Sequence, residues 1–292
     1  VVVAQVPAAV PFLTSDGVRL ALLDSGPADA PVTVVFVHGW TSDSTTWDDV
    51  LPLLTAPVRT IRFDLRGHGG SDPAPPGTAT IERLGADLAE LVEERVPDGK
   101  LVLVGHSMGA MAVMALAEQR PELVEKRVAG VLLFSGAAAG LADATFGLPR
   151  WVLAGEQKLT ARLARVSRPV IARRTAALRP GVRWLAFGRR PSRAHVAKAA
   201  RQFGRAHPAS MAGFRVSLTE HDRLAALAAL RCVPVVVLSG SRDRLCTPAQ
   251  ARAIAAELPS ATFVAFPEAG HMLPFERPAE LARHIDRLAA PH

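Results

Sequence analysis

The chain has 292 residues, 49% of them hydrophobic, with 34 Lys and Arg against 27 Asp and Glu and a formal net charge of +7. That length can bury one large core and sits near the upper size for a single one. The longest apolar run, 128–142, is interrupted by Gly and Ser and is shorter than the roughly 20 residues that cross a bilayer, so no membrane span is expected. The two cysteines, Cys232 and Cys246, bracket the apolar run 233–238. If that run is a strand, its ends lie too far apart for the roughly 5.5 Å Cα separation of a disulfide. Free thiols point toward a reducing, cytoplasmic compartment. The chain opens on Val rather than Met, which leaves a removed targeting segment, and with it a secreted or cell-envelope location, open.

Short β-branched runs alternate with longer helical stretches. Taken in order, the strand-like segments are 18–23, 32–37, 58–63, 101–104, 128–134, 233–238 and 261–266. Several are almost continuously hydrophobic, as strands buried on both faces should be. Helical patterns occupy 81–95, 108–120, 248–258 and 278–288. This alternation predicts an α/β fold, a mostly parallel twisted sheet flanked by helices. It breaks between about Gly136 and Arg231, where helical pieces are separated by prolines and no strand is convincing. The expected organisation is therefore a core formed by 1–135 and 231–292, with 136–230 as an inserted helical, basic cap.

The insertion differs in charge from the rest. From Arg150 to Arg231 there are 18 Lys and Arg against 3 Asp and Glu, a balance of +15 that leaves −8 on the remaining chain. Such a cap can be an ordinary solvated face or can attract anionic lipid head groups, phosphorylated acyl carriers or nucleic acid. Within 193–205, Val196, Ala199, Ala200 and Phe203 follow helical spacing while Arg193, Lys198, Arg201 and Arg205 take other positions. That pattern describes an amphipathic helix with basic flanks, suited to packing over a cleft or to peripheral contact with anionic lipid.

Chemistry concentrates at the ends of the strand-like runs. Leu101-Val-Leu-Val-Gly-His-Ser-Met-Gly109 carries G-x-S-x-G between a hydrophobic strand and an Ala- and Met-rich helix, the context that gives this motif its meaning. The turn projects the Ser107 hydroxyl, and Gly105 and Gly109 relieve the crowding around it. A serine hydroxyl is a weak nucleophile and needs a base, itself held in one tautomer by a third group. In this architecture the order is Ser, then acid, then His. Asp243 lies a few residues beyond the strand 233–238, and His271 follows the last strand, between Gly270 and an apolar stretch. Acyl transfer also creates an oxyanion that two backbone N–H groups must face. Met108, directly after the nucleophile, supplies one; Trp40, in Val35-Phe-Val-His-Gly-Trp-Thr41, supplies the second, and its indole can line the acyl pocket. His38 is expected to brace that loop, and His106 to point away from the nucleophile.

The segments His38-Gly-Trp, Asp64-Leu-Arg-Gly-His-Gly-Gly-Ser71, Gly105-His-Ser-Met-Gly109, Ser239-Gly-Ser-Arg-Asp243 and Gly270-His271 together resemble the α/β-hydrolase superfamily, in its esterase, lipase and haloperoxidase-like branch. The resemblance covers roughly 14–135 and 231–290. It implies a Ser107, Asp243 and His271 triad without cofactor or metal, a structural role for Arg66 and His68, and a lid formed by the insertion. Relatives that use an Asp nucleophile are excluded by Ser107. Epoxide hydrolases are excluded further because their cap tyrosines have no counterpart in a chain without Tyr.

The reaction expected is hydrolysis of a carboxylic ester with a hydrophobic acyl or alcohol part through an acyl-enzyme. Thioesterase or acyltransferase chemistry on acyl carriers, carbon–carbon bond hydrolysis and cofactor-free perhydrolysis share the same residues. A ligand-binding protein that keeps the fold without turnover is the non-enzymatic alternative. Nothing in the sequence forms a P-loop, a complete G-x-G-x-x-G, an H-E-x-x-H or a Cys/His cluster, so no nucleotide or metal is expected. No nucleic-acid recognition module is present either.

Overall fold

The computed structural model of the chain describes residues 9–142 and 175–290. Its described strands are β1 (Ala9–Leu13), β2 (Arg19–Ser25), β3 (Val32–Val37), β4 (Arg59–Phe63), β5 (Lys100–His106), β6 (Val128–Phe134), β7 (Val235–Gly240) and β8 (Thr262–Phe266). They form one eight-stranded sheet in the order β1-β2-β4-β3-β5-β6-β7-β8. Pairing is antiparallel for β1 with β2 and β2 with β4, and parallel for every other neighbouring pair. The seven expected strands are all present. The additional one, β1, carries Pro11 and pairs with β2 alone, the edge position where a residue without an N–H is tolerated.

Burial on both faces explains the uninterrupted apolar runs. In β3 and β5, alternate side chains enter opposite layers: Val35, Val37, Leu101 and Leu103 in one, and Val34, Phe36, Val102 and Val104 in the other. The first layer is closed by α1 (Ile81–Arg95), capped by the Thr80 side chain accepting from Arg83 N, and by α2 (Met108–Gln119), whose residues 108–117 are all buried. A later helix, Pro278–Ala289, closes the second layer with Leu281, Ile285 and Leu288. The short helix α3 (Pro121–Arg127) links α2 to β6.

Between β6 and β7 the described residues contain no strand. They form α4 (Thr175–Ala186), α5 (Arg193–Arg205), α6 (Pro208–Thr219) and a 3₁₀ turn at Ala225–Leu230. The part of the expected cap at 143–174 lies outside the described residues. In α5 the predicted spacing holds in part: Val196 and Ala200 are buried and Ala199 packs against the cluster of Val196, but Phe203 is only half-buried, while Gln202 and Gly204 are buried instead. The basic flanks divide. Lys198 pairs with Asp48 at 3.0 Å and Arg205 pairs with Asp43, while the buried Gln202 amide donates to Asp43, Thr45 and Thr46 at 3.0–3.1 Å. This helix is thus clamped to the loop after β3. Two further helices, α7 (Pro248–Glu257) and α8 (Leu273–Glu276), precede α9 (Pro278–Ala289). Among the described residues no helix is long and apolar enough to cross a membrane.

Candidate active site

Ser107 occupies the sharp turn from β5 into α2 with φ 54° and ψ −116°, a conformation a residue with a Cβ holds only where its surroundings over-determine it. Those surroundings are visible. Ser107 N–H donates to Phe134 O at 3.0 Å, and Ser107 O accepts from Ala110 and Met111 N–H at 2.9 and 3.2 Å. A Cβ on Gly109 would lie 2.1 Å from Val37 O, and one on Gly39 would lie 3.1 Å from Ser107 Cβ. Only glycines let the helix start, the end of β3 and the serine turn meet this closely. The loop bearing Trp40 is thereby laid against the turn bearing Ser107. No protein acceptor takes the N–H of Trp40 or of Met108 among the described residues.

Two buried histidines brace that loop, as expected of His38. His38 Nε2 accepts Leu65 N–H at 3.0 Å, so its Nδ1–H donates to Gly39 O at 2.8 Å. His68 Nε2 accepts Thr41 N–H at 3.2 Å and its Nδ1–H donates to Arg66 O at 3.0 Å. Backbone partners therefore fix both rings as neutral Nδ1–H tautomers. Desolvation pushes both below the usual histidine range, His68 down to about 3. Arg66 is structural: fully buried, it binds Asp87 through two hydrogen bonds of 2.6 Å and Asp16 at 2.8 and 2.9 Å.

Asp243 and His271 come together from the loops after β7 and β8. His271 Nδ1 lies 2.9 and 3.1 Å from the two Asp243 oxygens, and both residues are buried. Asp243 Oδ1 also accepts Leu245 and Cys246 N–H, each at 2.9 Å. With the carboxylate committed as acceptor, Nδ1 carries the proton and Nε2 keeps a lone pair. Cys246 is buried beside Asp243, its N–H donating to the same carboxylate oxygen. Burial, reinforced by the Asp243 charge, pushes the Cys246 thiol well up. No hydrogen bond joins Ser107 Oγ directly to His271 Nε2 among the described residues.

Three residues near the site escape sequence reasoning. His106, expected to point away from the nucleophile, donates Nε2–H to the main-chain oxygen of His271 at 3.0 Å, a contact its sequence position did not suggest. Its ring stacks on Phe134 with centroids 5.1 Å apart, and burial holds it well below the usual histidine range. Glu276 accepts Gly188 and Gly270 N–H, both at 2.8 Å, stapling the end of α4 to the residue before His271; burial raises its carboxyl. Cys246 was legible only as a thiol without a disulfide, and it is free and buried. Among the described residues no group of three or more His, Cys, Asp or Glu could hold a metal ion.

A family model for the alpha/beta hydrolase family matches residues 34–284. The chain belongs to that family. Solved structures agree: an esterase from Thermogutta terrifontis superposes with a TM-score of 0.74 at 27% identity, over 95% of this chain and 96% of that one. Curated relatives match over shorter stretches. The bifunctional esterase/perhydrolase DCH of Acinetobacter calcoaceticus is 38% identical over 109 residues, 37% of this alpha/beta hydrolase and 38% of DCH. The mouse sn-1-specific diacylglycerol lipase ABHD11 is 38% identical over 111 residues, 37% of this chain and 34% of its own. The matched segments span from 17% to 42% of the curated relatives' lengths.

Proposed function

We propose that this alpha/beta hydrolase cleaves carboxylic esters with a hydrophobic acyl or alcohol part through an acyl-enzyme on Ser107. The observation that carries this reading is the strained, half-buried Ser107 beside a buried His271–Asp243 pair whose hydrogen bond fixes the imidazole as its Nδ1–H tautomer. On this reading Ser107 Oγ meets His271 Nε2 in the substrate complex, a contact that is commonly long or absent without substrate and tightens when it binds. Nε2 takes the hydroxyl proton as Oγ attacks the ester carbonyl, and Asp243 stabilises the resulting imidazolium. The oxyanion falls to the N–H groups of Met108 and Trp40. Collapse expels the alcohol, which takes the proton from Nε2; water, activated by the same nitrogen, then releases the acid and restores Ser107.

Roles follow from positions. Ser107 is the nucleophile, His271 the general base and acid, Asp243 the group that orients it, and Met108 with Trp40 the oxyanion hole. The helices between β6 and β7 serve as the cap over 136–230. Ser107→Ala, His271→Ala and Asp243→Ala should each lower kcat on a short-chain p-nitrophenyl ester by about 10⁴-fold, with double variants little worse than singles. A serine-directed phosphonate should label Ser107 alone. Near wild-type turnover in Asp243→Ala, or phosphonate labelling that survives Ser107→Ala, overturns the assignment.

A further inference from the structure

A cavity of about 530 Å³ lies between α4, the start of α5 and the loop after β7, next to the site; none of the residues assigned to catalysis lines it. Three segments wall it: one face of α4, the turn that follows with the start of α5, and Arg244 from the loop after β7. From α4 come Arg179, Arg183 and Trp184; from α5 come Arg193 and Val196. Phe187 and Val196 are buried and belong to one apolar cluster, so the cavity has a hydrophobic floor beneath a rim of four guanidinium groups. No Asp or Glu is among its described lining residues.

The charge arrangement is unfavourable within the chain itself. Arg179 and Arg183 stand four residues apart on one helix face, a spacing at which like charges weaken a helix, and Pro180 sits inside the same helix. Neither of them, nor Arg193, forms an ion pair among the described residues, although Lys198 and Arg205 of the neighbouring helix both do. Arg244 is held in place: Nη1 donates to Trp184 O at 2.7 Å and its guanidinium lies 4.9 Å from the centroid of the Trp184 ring. Stacked on the indole, it keeps most of its five donors for another acceptor. Unpaired guanidinium forks converging over an apolar floor fit an oxyanion carried on a hydrocarbon.

We propose that this cavity binds an anionic amphiphile, a single molecule whose phosphate or carboxylate head is held by Arg179, Arg183, Arg193 and Arg244 while its chain lies along Phe187 and Val196. The cavity volume falls in the range of small-molecule sites, roughly 300–1,000 Å³, which suits one chain rather than a lipid surface. The site is independent of the ester-hydrolysis reading, since binding needs no turnover.

Isothermal titration of the whole chain tests it, with dodecyl phosphate below its micelle concentration as the probe. The expected result is saturable one-to-one binding that weakens with salt. Arg179→Gln with Arg183→Gln should weaken it by about 100-fold, some tenfold for each charge-assisted contact, while Arg189→Gln, on the neighbouring turn outside the cavity, should leave it unchanged. Unaltered affinity in the double variant overturns the proposal. So does equal binding of dodecyltrimethylammonium, which shows that head charge is irrelevant, or of inorganic phosphate, which shows that the apolar floor is irrelevant. Binding to anionic vesicles without binding to monomeric dodecyl phosphate assigns the arginines to a membrane surface and also overturns it. The head-group comparison uses the unaltered protein, so it decides the matter even if a variant folds poorly.

Discussion

Acidification should unfold this protein through its buried histidines before its carboxylates are titrated. His68 is fully buried with both ring nitrogens bonded to backbone, and its value falls from 6.5 to about 3. A histidine lowered in the fold is neutral there, whereas the unfolded chain takes up a proton as pH falls below about 6.5. Its contribution is therefore complete above that pH and is lost progressively toward the folded value. At pH 5 the loss from His68 alone is about 2 kcal/mol, a large share of the roughly 5–15 kcal/mol that holds a domain folded. His38 and His106 are shifted in the same direction by burial and add losses of the same sign. Asp16 and Asp43 are held low, so their stabilisation is lost only below the usual carboxylate range. Asp87 and Glu276 are raised by burial and act in the opposite sense. Urea unfolding at half-unit steps from pH 7.5 to 5 should show stability falling once the pH drops below 6.5. In His68→Gln the slope should be shallower by about 1.4 kcal/mol per pH unit, the effect of one proton. Stability that stays flat over this range, or an unchanged slope in the variant, refutes the reasoning.

Two other substitutions probe how the site is held. His106→Phe keeps an aromatic ring against Phe134 but removes the N–H that holds the His271 main chain; kcat should fall roughly 10- to 100-fold with little change in KM, and an unchanged kcat would show that this hydrogen bond positions nothing. Gly109→Ala puts a Cβ 2.1 Å from Val37 O and 2.7 Å from His38 O, which should cost about 3 kcal/mol or more. Thermal melting checks it against Gly181→Ala, where a Cβ meets nothing within 4 Å and Tm should not fall.

The fold was legible wherever a strand is buried on both faces, because β3, β5 and β6 then read as nearly continuous apolar runs. The edge strand β1 was not, since five residues including Pro11 carry no periodic signal. The expected site residues all lie within a few residues of strand ends, where a parallel sheet gathers its loops. Contacts that end on backbone atoms left no such trace. His106 meets the carbonyl of a residue 165 positions away, and Glu276 meets two amides, one of them 88 positions distant; a carbonyl or an amide has no letter in a sequence. The pattern of α5 gave its buried face in part, Val196 and Ala200 but not Gln202 or Gly204, and not the destination of Lys198 and Arg205, whose acidic partners lie 150 and 162 residues earlier.

Backbone contacts also tie the end of α4 to the loop that carries His271. Ala186 O, at the end of α4, accepts His271 and Met272 N–H at 2.9 and 3.1 Å. A Cβ on Gly270 would lie 2.4 Å from Phe187 C, and Glu276 ties Gly188 to Gly270. On the other side, Arg244 grips Trp184 of the same helix while its neighbour Asp243 holds the imidazole. The end of α4 thus meets His271 and the neighbour of Asp243 through adjacent backbone, with no room for a side chain at Gly270. A displacement of α4 must either break the two bonds to Ala186 or carry the His271 loop with it. The sheet resists the second course, because Ser241 N–H donates to Phe266 O and Arg242 N–H to Ala269 O at 2.9 and 2.8 Å. The end of α4 therefore stays seated on the loop that carries His271.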